Sequence, residues 1–298
     1  METKEIEAYK KAGEAWAKAI AVARKKAKEG KLLLELAEEI EAAIKEEGAK
    51  PAFPVNLSRN EEAAHFTPKW NDAETLKESD LLSIDIGTSV EGFICDGAIS
   101  INLDNKYANQ IEATELALEN AISKIGFGKS IDAVGKEIEK TLKAKGFNPV
   151  YNLGGHGLAQ FDIHAEPSVP NHSNGSDAKF EEGAVAIEPF SSTGRGFVGE
   201  TPLIEIFASK ENAKTRNTYA RKLLEFVKKY EGLPFAERWV RKESGLSEFQ
   251  ASIALRDLMK NNCFETFPGL KEEKGKIIAQ AEKSVIVLEN EIIVLGKK

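Results

Sequence analysis

Residues 83–98 read Ser83-Ile84-Asp85-Ile86-Gly87-Thr88-Ser89-Val90-Glu91-Gly92-Phe93-Ile94-Cys95-Asp96-Gly97-Ala98. Two apolar runs flank a polar, glycine-containing turn, the pattern of a β-hairpin. Asp85 and Asp96 are equidistant from a turn centred near Val90 and Glu91. Symmetric pairing of the arms therefore predicts two carboxylates opposite each other on one face. Directly opposed residues hold their Cβ atoms about 4.5–5.5 Å apart. Like charges that close are unfavourable unless one is protonated or a cation lies between them, and carboxylate oxygen suits a hard or borderline divalent metal. A solvated hairpin in a chain with 48 acidic residues has the same spelling, so the rest of the sequence has to separate the two readings.

The chain of 298 residues is long enough for one large domain or a domain carrying an insertion. Its composition, 42% hydrophobic and 30% charged, is that of a globular protein. No apolar run approaches a membrane span of about 18 residues, and Met1-Glu2-Thr3-Lys4-Glu5 is no signal sequence; a cytoplasmic protein without membrane contact is expected. Cys95 falls in an expected strand and Cys263 beside an expected helix end, unlike a disulfide framework. A net charge of −7 argues against a general nucleic-acid binder.

Helical periodicity marks Thr3 to Lys28 and Leu32 to Glu47, punctuated by Gly30 and Gly48. Pro51 to Ser58 is extended, its prolines placing it at an edge or along a cavity. Tyr107 to Ile125 and Ser130 to Lys145 form a second helical pair. Gly128-Lys129-Ser130 between them fails as a phosphate loop, because position 123 is Ser and the preceding stretch is helical. Strand patterns return at 150–165 and at Ala184 to Phe190. Helices then strands, twice over, predict an α+β fold of two similar halves. Residues 202–263 break the rhythm with three helices at Asn212 to Tyr230, Pro234 to Lys242 and Ser247 to Asn261. This segment carries twelve Lys and Arg against eight Asp and Glu, and reads as an insertion whose charge suits a solvated face. The chain closes with an apolar hairpin, Lys276 to Leu288 returning through Ile292 to Leu295, with Glu282 in its first arm. An acid there is costly to bury unless paired or coordinated.

Four histidines exist, at 65, 156, 164 and 172. His156 sits in Gly154-Gly155-His156-Gly157, which permits close backbone approach to a ligand. His164 lies on an apolar segment and Glu188 in Ile187-Glu188-Pro189, at a strand end. Each alone could be an ordinary polar residue. Together, Asp85, Asp96, His156, Glu188 and Glu282 form a carboxylate-rich set with one imidazole, suited to two metals about 3.5–4 Å apart. The absence of His-Glu-x-x-His excludes a helix-borne zinc protease.

In this order, Pro51-Ala-Phe-Pro-Val-Asn-Leu-Ser58, Ala63-Ala-His-Phe-Thr-Pro68, Asp85-x10-Asp96, Gly155-His156, Ile163-His164-Ala165, Ile187-Glu188-Pro189-Phe190 and Ala279-Gln280-Ala281-Glu282 resemble the motifs of the methionine aminopeptidases, most closely the type II branch of archaea and eukaryotes. The resemblance spans nearly the whole chain. It implies a pita-bread fold, two pseudo-symmetric αβ halves formed by residues 1–201 and 264–298, with a winged-helix-like helical insertion at 202–263. It implies two divalent ions (Co, Mn, Fe or Zn), with Asp96 and Glu282 shared, Asp85 serving one, and His156 with Glu188 the other. Glu188, His164 and His65 would be catalytic, His65 and His164 would contact substrate, and Phe53 and Pro54 would wall the methionine pocket. The implied activity is removal of the N-terminal methionine from nascent polypeptides and peptides with a small second residue. The protein would act as a monomer, with the basic insertion available to touch the ribosome. Three positions depart from the family pattern. Gly97 stands where Thr is usual, Lys283 where His is usual, and Glu166-Pro167 where Gly is usual. None removes a ligand-type residue. The rival readings are a proline-specific peptidase on the same fold, which normally has a larger N-terminal domain and no such insertion, and a non-catalytic pita-bread protein at the ribosome, which would have lost ligands.

Overall fold

The 83–98 stretch folds as a hairpin and extends at both ends: Leu81–Val90 pairs antiparallel with Phe93–Asn102. In this computed structural model, which describes residues 1–297, Val90 pairs with Phe93, leaving Glu91 and Gly92 as a two-residue loop with φ of 54° and 86°. Left-handed values at both positions are what a type I′ turn demands. The turn centre therefore lies later than simple symmetry about the two acids predicts. Asp85 faces Ala98, and Asp96 faces Gly87. The acids are diagonal neighbours on one face instead of a directly opposed pair, still within side-chain reach. Asn56–Arg59 flanks the hairpin on its other edge and sets Asn56 opposite Asp85.

Two helices cover this sheet. α1 (Thr3–Lys26) buries Tyr9, Ala12, Trp16, Ala19 and Ala23 at helical spacing, and its last turn carries Arg24, Lys25 and Lys26 where the helix dipole favours cations. α2 (Leu33–Glu46) buries Leu36, Ile40 and Ile44. In the second half, α3 (Ala108–Ile122) and α4 (Ile131–Ala144) pack on a five-stranded sheet. Gly183–Ile187 is its central strand, flanked by Gly154–Ala159 and Lys283–Val287, with Asp162–Pro170 and Ile292–Val294 at the edges. Ser130, the last residue of the rejected phosphate loop, caps α4 by accepting from the Ala133 amide.

The closing hairpin departs from the sequence reading. Ile292–Val294 does return along Lys283–Val287, but the first arm is not continuous. Ile278–Gln280 belongs to a separate small sheet with Phe190–Ser192 and Asn148–Pro149. The same break occurs in its neighbour. Ile187 pairs with Lys283 and Phe190 with Gln280, so Glu188-Pro189 lies beside Ala281-Glu282 where both chains leave one sheet and enter the other. Pro189 has no amide to give to a ladder.

The 202–263 stretch holds α5 (Thr218–Val227), α6 (Glu237–Glu243) and α7 (Glu248–Lys260). α5 begins later than its periodicity predicts because the Asn217 side chain caps it, accepting from the Tyr219 and Ala220 amides. The stretch starts inside strand Gly199–Ser209, which pairs with Phe264–Lys271; that strand in turn pairs with Glu62–Ala64. A buried ion pair fastens α6 to α2. Arg238, 2% exposed, meets Glu41, 4% exposed, which also accepts from Trp239 Nε1 at 2.9 Å and the Val55 amide at 3.2 Å. Both cysteines are free and buried. No described helix is long and apolar enough to cross a membrane.

Removing Arg238 leaves a buried carboxylate without its cation. Arg238→Ala is expected to cost about 3–5 kcal/mol, read as a lower urea midpoint; a midpoint within error of the parent would show that Glu41 finds another partner.

Candidate metal centre

The two breaks in the strands place their acids at the meeting point of the halves. Glu188 and Glu282 leave the switch between sheets and face Asp96 and Asp85 on the hairpin. All four carboxylates line one cavity of about 380 Å³ together with His156. Asp96 and Glu282 are buried. Ligand-type atoms of Asp96, His156 and Glu282 lie within 4.8 Å of one another, and His156 Nε2 is 4.0 Å from Asp96 and 3.7 Å from Glu188. The structure thus brings all five residues of the expected ligand set to one floor.

Backbone ties hold the halves in this register. Ser284 Oγ receives the Asp96 amide and donates to the Asp96 carbonyl, both at 2.8 Å, and the Glu282 amide reaches the Ala98 carbonyl at 3.0 Å. The glycines around His156 serve the strands more than any ligand. A Cβ at Gly155 would stand 2.1 Å from the Ala186 carbonyl oxygen, and one at Gly157 2.0 Å from that of Glu166.

The electrostatics call for cations. Burial pushes Asp85 up to about 7, against the amides of Asn56 and Gln280. Asp96, Glu188 and Glu282 are driven well above the carboxylate range, first by burial and then by the other acids of the cluster. One oxygen each of Asp85 and Asp96 is buried without a hydrogen-bond partner among the described residues. His156 is held down at about 3, chiefly by burial and then by nearby His164. Its Nδ1 lies 3.2 Å from the Gly157 carbonyl, so Nδ1 carries the proton and neutral Nε2 offers its lone pair to the cluster. Acid oxygens without partners and an imidazole oriented for coordination fit divalent cations.

His65 and His164 stand on the cavity wall with Phe267 between them, at ring-centroid distances of 5.6 and 6.1 Å. Burial lowers His65 to about 4. Its Nδ1 is 3.1 Å from the Pro268 carbonyl, so Nδ1 donates and Nε2 remains an acceptor. His164, 4.9 Å from His156, has no hydrogen bond to its ring nitrogens among the described residues. Phe53 lines the cavity as expected. Pro54 does not: it is buried but absent from the lining, in the bent connection between Lys50–Pro51 and Asn56–Arg59. His172 packs on Tyr151 away from the site.

Three site residues escaped the sequence reading. Gln280 donates to Glu188 at 3.5 Å and to Glu282 at 3.4 Å; it ends the strand just before the break, two residues ahead of Glu282, so only its nearness in sequence to that acid was readable. Asn56 donates to Asp85 at 3.4 Å, which required the register of a third strand. Phe267 lies beyond the insertion and carries no local signal.

The fold and this centre define a metallopeptidase: the sequence pattern of Metallopeptidase family M24 matches residues 7–216. A methionine aminopeptidase of Pyrococcus abyssi is 44% identical over 273 residues, covering 91% of this chain and 92% of its own. Among solved structures, a thermophilic Arx1 superposes with a TM-score of 0.83 at 16% identity, covering 99% of this chain and 91% of that one. Methionine aminopeptidase from Thermotoga maritima superposes at 0.73 with 23% identity, covering 100% and 98%. The chain belongs to the methionine aminopeptidases of family M24, pita-bread metallopeptidases that use divalent metal.

A carboxylate with a raised pKa in the metal-free fold keeps a proton that the unfolded chain has already released above about pH 4. Metal-free stability from these groups therefore falls as pH climbs from that value through the Asp85 pKa of about 7. Bound cations need the deprotonated acids. The rise in melting temperature that Mn²⁺ gives over chelator-treated protein is expected to be larger at about pH 8 than at about pH 5.5; equal rises at both would contradict this account of the cluster.

Proposed function

We propose that this chain removes the N-terminal methionine from nascent proteins and from peptides with a small second residue, as a type II methionine aminopeptidase. The observation that carries the reading is the convergence of Asp85, Asp96, His156, Glu188 and Glu282 on one cavity floor beneath His65 and His164. We assign those five as ligands of two divalent ions drawn from Co, Mn, Fe or Zn, with Asp96 and Glu282 shared. Bound divalent ions supply Lewis acidity and lower the pKa of water at neutral pH.

The chain's own groups do the rest. Glu188, steadied by Gln280, takes the proton from the attacking water and passes it to the leaving amine. His164, with its ring nitrogens free of protein partners, donates to the developing oxyanion. His65 has spent its proton on the Pro268 carbonyl. We therefore give it the role of accepting a substrate N–H instead of sharing the oxyanion. Phe53 and Phe267 offer apolar wall to an unbranched side chain. Residues 202–263 are proposed as the insertion module of the type II branch, in a cytoplasmic monomer. The module's twelve basic against eight acidic residues support contact with the ribosome, which salt-sensitive co-sedimentation would report.

With added Co²⁺, Mn²⁺ or Fe²⁺, the protein is expected to release methionine from Met-Ala-Ser and to leave an Xaa-Pro dipeptide intact. No methionine under any metal, or preference for the dipeptide, would overturn the reading. His164→Ala is expected to lower kcat by about 10²–10³-fold while metal content stays at the parental value; loss of the metal would show that His164 is a ligand.

A further inference from the structure

The two departures from the family pattern that flank ligand-type residues, Gly97 and Lys283, meet at one side chain. Trp16 of α1 is 3% exposed. Its indole N–H donates to the Gly97 carbonyl at 3.0 Å, and Lys283 Nζ lies 3.7 Å from the centroid of its ring. A Cβ at Gly97 would fall 2.7 Å from two ring carbons of Trp16, so no larger residue fits there while the indole keeps its place. Lys283 has no carboxylate within ion-pair distance among the described residues; the ring face is the partner its charge has found.

Alternation along a strand explains why this matters. Asp96 lines the first cavity while Gly97 turns towards α1; Glu282, at the break between the sheets, lines that cavity too, and Lys283, the first residue of its strand, reaches Trp16. The two strands come from different halves of the fold. Trp16 thus touches, from behind, the residue next to each of the two acids assigned above as shared ligands. Behind it lies a second cavity of 770 Å³, also lined by Glu282 and Lys283, so no other packed side chain fills that space if the indole leaves.

We propose that Trp16, with Gly97 and Lys283, is a positioning device for the metal centre, setting the spacing of Asp96 and Glu282 by clamping the strand behind each. This rests on the assignment of those two acids as shared ligands. Because Trp16 contacts both Gly97 and Lys283, the device makes the three residues interdependent.

The test uses Trp16→Leu, Lys283→Met, Lys283→Arg and Gly97→Ala in the full chain. Each variant is checked for folding by circular dichroism, and Mn²⁺ is titrated calorimetrically alongside kcat and KM for Met-Ala-Ser. Outer partners of metal ligands are worth about 10–100-fold in affinity. Trp16→Leu, Lys283→Met and Gly97→Ala are each expected to weaken Mn²⁺ binding by about that factor and to lower kcat at nearly constant KM. Lys283→Arg, which keeps a cation over the ring, is expected to restore both. Lys283 is only partly buried, so Lys283→Met remains informative if Trp16→Leu fails to fold. Folded Lys283→Met and Gly97→Ala proteins with parental affinity and kcat would overturn the clamp while leaving the peptidase reading intact. A parental protein that binds no Mn²⁺ would overturn the ligand assignment and the clamp with it.

Discussion

Four carboxylates gathered in one buried pocket repel each other, and the rest of the structure has to hold them there. Asp85, Asp96, Glu188 and Glu282 would each be more comfortable in water, and burial together with mutual repulsion drives them to retain protons. Such a cluster persists only where surrounding packing overdetermines it. Here the surplus comes from two helix-backed cores, one under each pair of acids. The cluster is a standing cost in the metal-free fold, one that cations held there would offset by replacing the protons.

The acids reach the pocket by two different local devices. On the hairpin, alternation alone puts Asp85 and Asp96 on one face. On the other side, regular alternation would have buried Glu188 and Glu282 in a continuous ladder. Breaking both strands at the same level, with Pro189 in one of them, releases the acids from the ladder and turns them inward. Gln280 bridges the two by donating to both. The break is therefore what turns these two acids out of the ladder and into the cavity.

This difference explains what could be read beforehand. Asp85, Asp96, His156, Glu188 and Glu282 were legible as types in order, and the paired helices as periodic runs. The exact opposition of the hairpin acids was not, because register depends on whether the loop begins at Val90 or Glu91, and the choice falls to the backbone freedom of Gly92. The break at Ala281-Glu282 was hidden inside an apolar run that reads equally well as one strand. Pro54 is off the lining because it sits in a bent connection, where adjacency to Phe53 in sequence says nothing about which way a residue faces. Phe267 and Asn56 join the site only through pairing between distant segments.

The segment between 202 and 263 bears on the shape of the cavity more directly than its surface charge suggests. Ile206 and Pro234 lie in the cavity wall, and Phe267 follows just beyond, so this part of the chain contributes to the wall of the cleft. The Arg238–Glu41 pair ties α6 of this segment to α2 in the first half. A buried pair of this kind adds little net stability over an apolar contact but strongly penalises any arrangement that separates its members. Together with the pairing of Phe264–Lys271 to Glu62–Ala64, it holds the wall in place. A cleft whose floor is held by strands from both halves and whose wall is held by strand pairing to Glu62–Ala64 and by the Arg238–Glu41 pair can select a side chain by fit, because neither surface can drift to accommodate a larger one.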